Sequence, residues 1–509
     1  MGSTKPDSAD RLREFEAAVI AAVDHRASHA EAILKDLIRT RSPSGSEGAA
    51  RDPHTVVGKV FAAARAHETD VESQTVARGS DNVIEILRGP GRPAFVMEAH
   101  MDAVPEGETQ RWLDGDPYSG AEGWVEYLGH DRIALHVGPA TYEAAIRPRM
   151  SKVWEQYRAD RRRRILYGRG SFDNKGCVVS AMLAMEALAQ ASRGVGVQLG
   201  GSVIAAYTVD EEESASGVRR FACDSDSWLA TNGYLSGPRD ARGMLTEISG
   251  VALDGSYGWT PVVGHRGALQ IAITTRGRAA HAATPELGVN AVEAMARIIV
   301  ALSDGRGEIA ARLERELETS LLGPATMAVG STIVGGGVRA VRMDGKPHVD
   351  RSGVNAVPHW CEATVDLRFP PARNHATDEE TKTLLLAAVR EHIEANVSRD
   401  GWSYEIQELV WVPPVAMAPT VERAAALPLV QNARRRAAQI LGYEPELETA
   451  PGGTDATFMM HEAHIPTIVE LGPAGGLSHD VHEFVEIDSV IAGAKILALL
   501  AIDQLGLAD

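Results

Sequence analysis

The chain has only three cysteines in 509 residues, Cys177, Cys223 and Cys361. They lie far apart with no metal-type spacing, which excludes a thiolate metal centre and fits a reducing cytoplasm. No apolar run is long enough to span a bilayer. The first ten residues, Met1 to Asp10, are polar and lack the apolar core of a secretion signal. Basic residues are not in excess: 51 Lys and Arg face 69 Asp and Glu, a formal net charge of −18. That balance argues against nucleic acid or an anionic membrane as partner. Fixed-period repeats and low-complexity segments are absent as well. What is there, 44% hydrophobic and 24% charged residues, describes a globular protein too long for one ordinary core. Two or more domains are expected.

The most informative stretch is Leu166-Tyr-Gly-Arg-Gly-Ser-Phe-Asp-Asn-Lys-Gly176. An apolar run leads into glycines, and a long helix with almost no charge follows. Asp173 therefore sits in a tight turn where a buried helix begins. A carboxylate there needs compensation, from the helix amides as a cap or from a cation as a ligand.

Read in order, residues 10–40 form a helix with apolar residues at helical spacing, and 52–66 form a second. The apolar runs beginning at Asn82 and Ala94 read as strands, the latter ending in His100-Met-Asp102. Alternation along a strand puts His100 and Asp102 on one side. An insertion, Gly120 to Arg164, follows, read as holding a helix from Tyr142 to Arg163. Its basic end, Arg161 to Arg164, is either a solvated helix terminus or an anion-steering or subunit-contact patch. Further strands end in Asp210-Glu-Glu-Glu213 and in Asp254. Strands alternating with helices, with acids at strand ends, describe an α/β sheet with its ligand site at the carboxyl edge. From Gly267 a strand-helix-strand-strand-helix-strand order predicts a separate α+β, ferredoxin-like module. The sheet domain resumes with a helix over 421–441, a strand at Thr467, the segment Ser478-His-Asp-Val-His-Glu483 and a last helix over 487–505.

His100, Asp102, Asp173, Glu211, Glu212, Asp254 and His479 thus stand at strand ends and glycine turns. Carboxylates mixed with imidazoles suit zinc, manganese or cobalt. Taken singly, each has a plainer explanation: a core histidine, a solvated acidic turn, an Asp-Gly turn, an exposed loop. Together they are hard to explain that way.

The motifs His100-Met-Asp102, Gly168-Arg-Gly-Ser-Phe-Asp173, Asp210-Glu-Glu-Glu-Ser-Ala-Ser-Gly217, Gly277-Arg-Ala-Ala-His281, Asn355-Ala-Val-Pro and Ser478-His479 through Glu483 resemble a known set. It belongs to the zinc-dependent amidohydrolases and metallopeptidases that include acetylornithine deacetylase, succinyl-diaminopimelate desuccinylase, aminoacylase, carnosinase and the glutamate carboxypeptidases. The resemblance runs from about Ala30 to the end. It implies that Asp173 bridges two metal ions, one also held by His100 and Asp254, the other by Glu212 and His479. Asp102 would orient the His100 imidazole. Glu211 would be the general base towards a water made acidic by the cations. His281 would reach a neighbouring subunit's site and stabilise the oxyanion. Asn290, Asn355 and Arg368 are candidates for the substrate carboxylate, Arg368 with a structural pair to Asp366 as its alternative. Gly453 and Thr454 belong to a backbone nest for an anion. Glu247 competes with Asp254, and His482 with His479.

The expectation is a mixed-sheet α/β catalytic domain in two parts, 1–266 and 412–509, around a lid and dimerisation domain at 267–411. The reaction expected is metal-dependent hydrolysis of an amide or peptide bond in a small carboxylate-bearing substrate, by an N-acyl amino acid deacylase, dipeptidase or carboxypeptidase. The alternatives are hydrolysis of a non-peptide C–N bond at the same site, or a non-catalytic binding protein on the same fold. One or two Zn2+ ions, with Co2+ or Mn2+ as substitutes, are expected in a cytoplasmic homodimer.

Overall fold

The computed structural model describes residues 8–77, 79–146, 148–156, 162–255, 258–335, 339–343, 346–350, 355–373, 377–398, 400–450 and 452–508. The chain divides into two compact units. The first comprises 1–263, 421–448 and 454–509; the second comprises 264–420 with 449–453.

In the first unit two helices, α1 (Ser8–Ile38) and α2 (Val56–Ala64), precede the strands β1 (Asp70–Ala77), β2 (Ser80–Leu87) and β3 (Ala94–His100). The insertion supplies β4 (Ala121–Gly129), β5 (Arg132–Val137), β6 (Ala140–Ala145) and α3 (Pro148–Gln156), and leads into β7 (Arg162–Tyr167). Then come α4 (Gly176–Val195), β8 (Ser202–Thr208) and β9 (Ile248–Leu253). One six-stranded sheet runs β1-β2-β8-β3-β9, with the short strand Thr467–Ile468 at its far edge. β3 is parallel to both β8 and β9, and all seven of its residues are buried. A central parallel strand is covered on both faces, so it reads as a nearly unbroken apolar run. The register pairs His100 with Thr208 and Ala99 with Leu253. The three strands therefore end level, and the turns that succeed them emerge at one edge.

The second sheet is antiparallel throughout: Gly475–Gly476, Phe484–Glu486, β7, β4, β5, β6. It corrects the sequence reading of the insertion. Residues 140–145 form an edge strand with alternating exposure, and among the described residues of the insertion helix is confined to 148–156. The Glu, Ala and Arg content favours helix intrinsically, but pairing with β5 overrides it. Residues 147 and 157–161, with Arg161 of the basic run, fall outside the described residues. Arg162 and Arg164 sit on β7 and pair with Glu126 and Glu31, so they complement no helix dipole. Two further departures are β1, unforeseen because its burial is only partial, and a break at Pro428 that splits 421–441 into Val421–Ala425 and Pro428–Leu441.

The second unit carries strands Gly267–Arg276, Thr326–Gly335, Trp360–Phe369 and Ser403–Val412, with main helices Ala291–Asp304 and Asp378–Asn396. Numbered within the unit, the sheet order is 2-3-1-4, all antiparallel, the ferredoxin-like arrangement expected. Leu269, Ile271 and Ile273 project from alternate positions into its core with Ile298, Leu302, Leu385 and Val389.

Candidate metal centre

The level carboxyl ends of β3, β8 and β9 bring His100, the turn 210–213 and Asp254 to one edge of the main sheet. Two loops complete the site. The first, 168–175, bends at Gly170 (φ 77°) and carries Asp173 into the entrance of α4. No side-chain cap bond closes the N-terminus of α4, so Asp173 is not its cap. The second, 477–483, joins the hairpin strands Gly475–Gly476 and Phe484–Glu486 and carries His479.

The Asp173 carboxylate lies between two imidazoles. His100 Nε2 is 3.2 Å from Oδ1, and His479 Nε2 is 3.3 Å from Oδ2. His100 Nε2 is also 3.9 Å from Asp254 Oδ1, and His479 Nε2 is 3.1 Å from Glu212 Oε2. Two trios result, His100–Asp173–Asp254 and Asp173–Glu212–His479, each with ligand atoms within 4.8 Å of one another. They share Asp173. Of the competing residues, Glu247 pairs instead with Arg92, and His482 is bonded to Tyr167.

The charges around the trios set their titration. Burial works against a charged His100, but Asp102, Asp173 and Asp254 outweigh it and hold the ring well above its ordinary range. Asp173 and Glu212 raise His479 to about 10. Asp173 is driven down: burial opposes ionisation, and the two histidines prevail. Burial raises Glu212 and Asp254, each with further help from the Asp173 charge. Glu211 is pushed well above the carboxylate range by burial, and Asp254, Glu212 and Asp102 add to it. Several acids thus crowd two imidazoles, an arrangement that a divalent cation relieves. His100 Nε2 and Glu212 Oε1 are buried and make no hydrogen bond among the described residues. Orphaned donor atoms in a carboxylate and imidazole set fit a hard or borderline cation.

A second layer of bonds fixes these groups. Asp102 lies 3.4 Å from His100 Nδ1, but its carboxylate grips the acidic turn more closely. It accepts the backbone N–H groups of Glu211 and Glu212, both at 3.1 Å, and the Ser44 hydroxyl at 2.7 Å. The Glu483 carboxylate accepts from Gly170, Phe172 and Asp173 N–H, each at 2.9 Å, and from Arg169 Nη1 at 2.6 Å. Arg169 Nη2 donates to the Asp480 carbonyl at 2.7 Å. Arg169 and Glu483 therefore tie the Asp173 loop to the His479 loop. No role for Arg169 or Ser44 was legible in sequence. An arginine between two glycines ahead of a ligand turn was the available signal.

The other candidates make bonds of their own. His281 is exposed, and its Nδ1 accepts from Ala283 N–H at 3.0 Å. Asn290 caps the helix 291–304 through its Oδ1 and donates to Glu293. Asn355 is exposed, with its carbonyl bonded to Ala282 N–H. The Arg368 fork is taken by Asp366, at 2.7 and 3.1 Å. These four lie in the second unit, as does Gly453. Thr454, in the first unit, donates its hydroxyl to the Val469 carbonyl at 2.8 Å.

Comparison with known proteins adds to this geometry. Residues 147–503 match the family described as peptidase family M20/M25/M40. A succinyl-diaminopimelate desuccinylase of Cereibacter sphaeroides is 25% identical over 469 residues, covering 90% of this chain and 94% of that one. Among solved structures, an aminopeptidase from Bacillus cereus superposes with a TM-score of 0.58 at 18% identity, covering 94% of this chain and 98% of that one. A dinuclear metal-binding peptidase from Bacillus subtilis gives 0.53 at 14% identity, covering 94% and 98%.

Proposed function

The chain belongs to peptidase family M20/M25/M40, metal-dependent hydrolases of amide and peptide bonds, and on that premise we propose that its substrate is a small amide bearing a carboxylate. An N-acyl amino acid or a dipeptide meets that description; the relative named above is a desuccinylase of succinyl-diaminopimelate. The observation that carries the reading is the pair of ligand trios sharing Asp173, with Glu211 beside Glu212 at the same edge.

We assign two Zn2+ ions to the trios, one to His100, Asp173 and Asp254, the other to Asp173, Glu212 and His479. When bound they would supply Lewis acidity towards a water and the scissile carbonyl. Glu211, whose pKa burial raises, takes the attacking water's proton and returns it to the leaving amine. Adjacent glutamates can divide the work only if one faces the ion and the other the water. Asp102 keeps them in register by holding both their N–H groups. His281 is assigned to oxyanion stabilisation within a homodimer: with Nδ1 accepting a backbone proton, Nε2–H is left as the donor. Asn290, Asn355, Arg368, Gly453 and Thr454 remain the candidates for the substrate carboxylate, with Arg368 and Thr454 serving only if their present bonds exchange. The three free cysteines fit a cytoplasmic setting; among the described residues, no helix is long and apolar enough to cross a membrane.

The test is Glu211→Gln, assayed on a panel of N-acyl amino acids, dipeptides and N-carbamoyl amino acids. The expected result is loss of turnover on whichever class the wild type cleaves, with metal content unchanged. Undiminished turnover overturns the base assignment. Cleavage confined to N-carbamoyl compounds overturns the substrate class.

A further inference from the structure

The insertion and the His479 loop belong to one sheet. Residues 477–483 turn a hairpin whose strand Phe484–Glu486 pairs with β7, which pairs with β4. Within this loop Leu477, His479 and His482 all have positive φ, at 60°, 61° and 74°. A non-glycine residue in that region is held there by its surroundings. His479 itself supplies little restraint, since 58% of its side chain is exposed.

The restraint lies at His482, which is 5% exposed. Tyr142 of β6 packs its ring 4.2 Å from the His482 ring, centroid to centroid. Trp112 stands edge-on to it at 6.2 Å. The Tyr167 hydroxyl accepts from Leu113 N–H and lies 2.8 Å from His482 Nδ1. Val137 of β5 joins Val481, Trp112 and Tyr167 in one buried cluster. The inserted strands thus meet the loop at the His482 ring, and Trp112 of the same cluster lies against the Arg169 guanidinium, 5.4 Å from its ring centre.

We propose that the inserted sheet is a positioning device for the second metal site, with Tyr142 and His482 as the positioning residues that keep His479 directed at Asp173 and Glu212. The inference rests on the ligand assignment above. The insertion acts first on the ion held by Glu212 and His479; the ion held by His100 and Asp254 meets the loop only through the shared Asp173 and its turn. Outer residues that orient metal ligands typically change affinity about 10–100-fold.

The experiment titrates metal-stripped protein with Co2+, reading stoichiometry, both dissociation constants and the visible absorption of each site. Tyr142→Ala is expected to weaken one of the two ions by about tenfold or more and spare the other. Tyr142→Phe, which keeps the ring, is expected to bind both as wild type does. His479→Ala, expected to lose one ion, identifies which of the two is affected. Two distinct failures are separable. If His479→Ala still binds two ions at wild-type affinity, the ligand assignment is wrong and the inference falls with it. If His479→Ala loses an ion but Tyr142→Ala binds both normally, or weakens both alike, the ligand assignment stands and the positioning role is overturned.

Discussion

Replacing Glu483 by glutamine removes one charge and exchanges one oxygen for an NH2 group. The carboxylate is fully buried, as is its partner Arg169 at 2% exposure, and it accepts four N–H donors. Each carboxylate oxygen serves two donors. In Glu483→Gln one oxygen still serves two, while the new NH2 faces the other two donors. Breaking one partner of a buried ion pair costs about 3–5 kcal/mol, because the remaining charge is left uncompensated. The double variant Glu483→Gln with Arg169→Met removes that stranded charge and is expected to recover about half of the loss. Burial also holds the Glu483 pKa above the ordinary glutamate value, against the pull of Arg169. The folded chain therefore binds this proton more tightly than the unfolded chain. The group's contribution is present below the unfolded pKa and is lost as pH rises through the folded one; Glu483→Gln should erase that part of the acid limb. Urea unfolding of metal-free protein, followed by amide exchange at residues 168–175, measures both quantities. A loss under about 1 kcal/mol, or a double variant no better than the single one, refutes the claim that this pair clamps the two loops.

The same geometry leads to three further expected outcomes. Because Asp173 and Glu212 keep His479 protonated up to about 10, an ion taken up there displaces a proton. Calorimetric titration with Zn2+ in two buffers of unlike ionisation heat should give different heats, with affinity rising up to about tenfold per pH unit from pH 6.5 towards 8; equal heats would contradict this. At Gly472 a Cβ atom would lie 1.9 Å from the Asp254 carbonyl oxygen. Gly472→Ala should therefore weaken the ion held by Asp254 and His100, measured as bound metal after dialysis, and full occupancy would count against the assignment. Tyr207 donates to the buried Glu85 carboxylate at 2.9 Å. Tyr207→Phe strips that acceptor of a donor and should cost about 1–3 kcal/mol in the same unfolding assay, an unchanged urea midpoint being the contrary result.

The strands and loops that carry the site were legible because each combined an apolar run with a polar residue at its end. β3 and β8 are cases where burial on both faces leaves a nearly continuous apolar signature, and the closing helix 487–505 is mostly buried and mostly apolar. Asp173 is ambiguous in sequence, since both a cap and a ligand place a carboxylate at a helix entrance; only its position between His100 and His479 distinguishes the two. The helix read over 142–163 is helix at 148–156, but its start reads wrongly because β6 is an edge strand whose outward residues are Thr141, Glu143 and Ala145, a composition shared with exposed helices. Arg368 has two uses open to it in the sequence, and its fork is occupied by Asp366 two residues away along the same strand. The ties from Asp102 to the 211–212 turn and from Glu483 to the 170–173 turn could not be read, because each joins segments that are distant in sequence and shares no local pattern.

The ligands of the two trios are spread from His100 to His479, 379 positions along the chain. At a synthesis rate of about 5–20 residues per second, some 20–75 seconds separate the emergence of the first ligand from that of the last. Over that interval Asp173 and Glu212 exist without the imidazole between them, and the hairpin that pairs with β7 has not been made. Divalent cations therefore cannot assist the early stages of folding through the His479 trio. Under the proposed assignment they would act as a late lock, set only after the 264–420 segment has been made between the two parts of the unit that carries both trios.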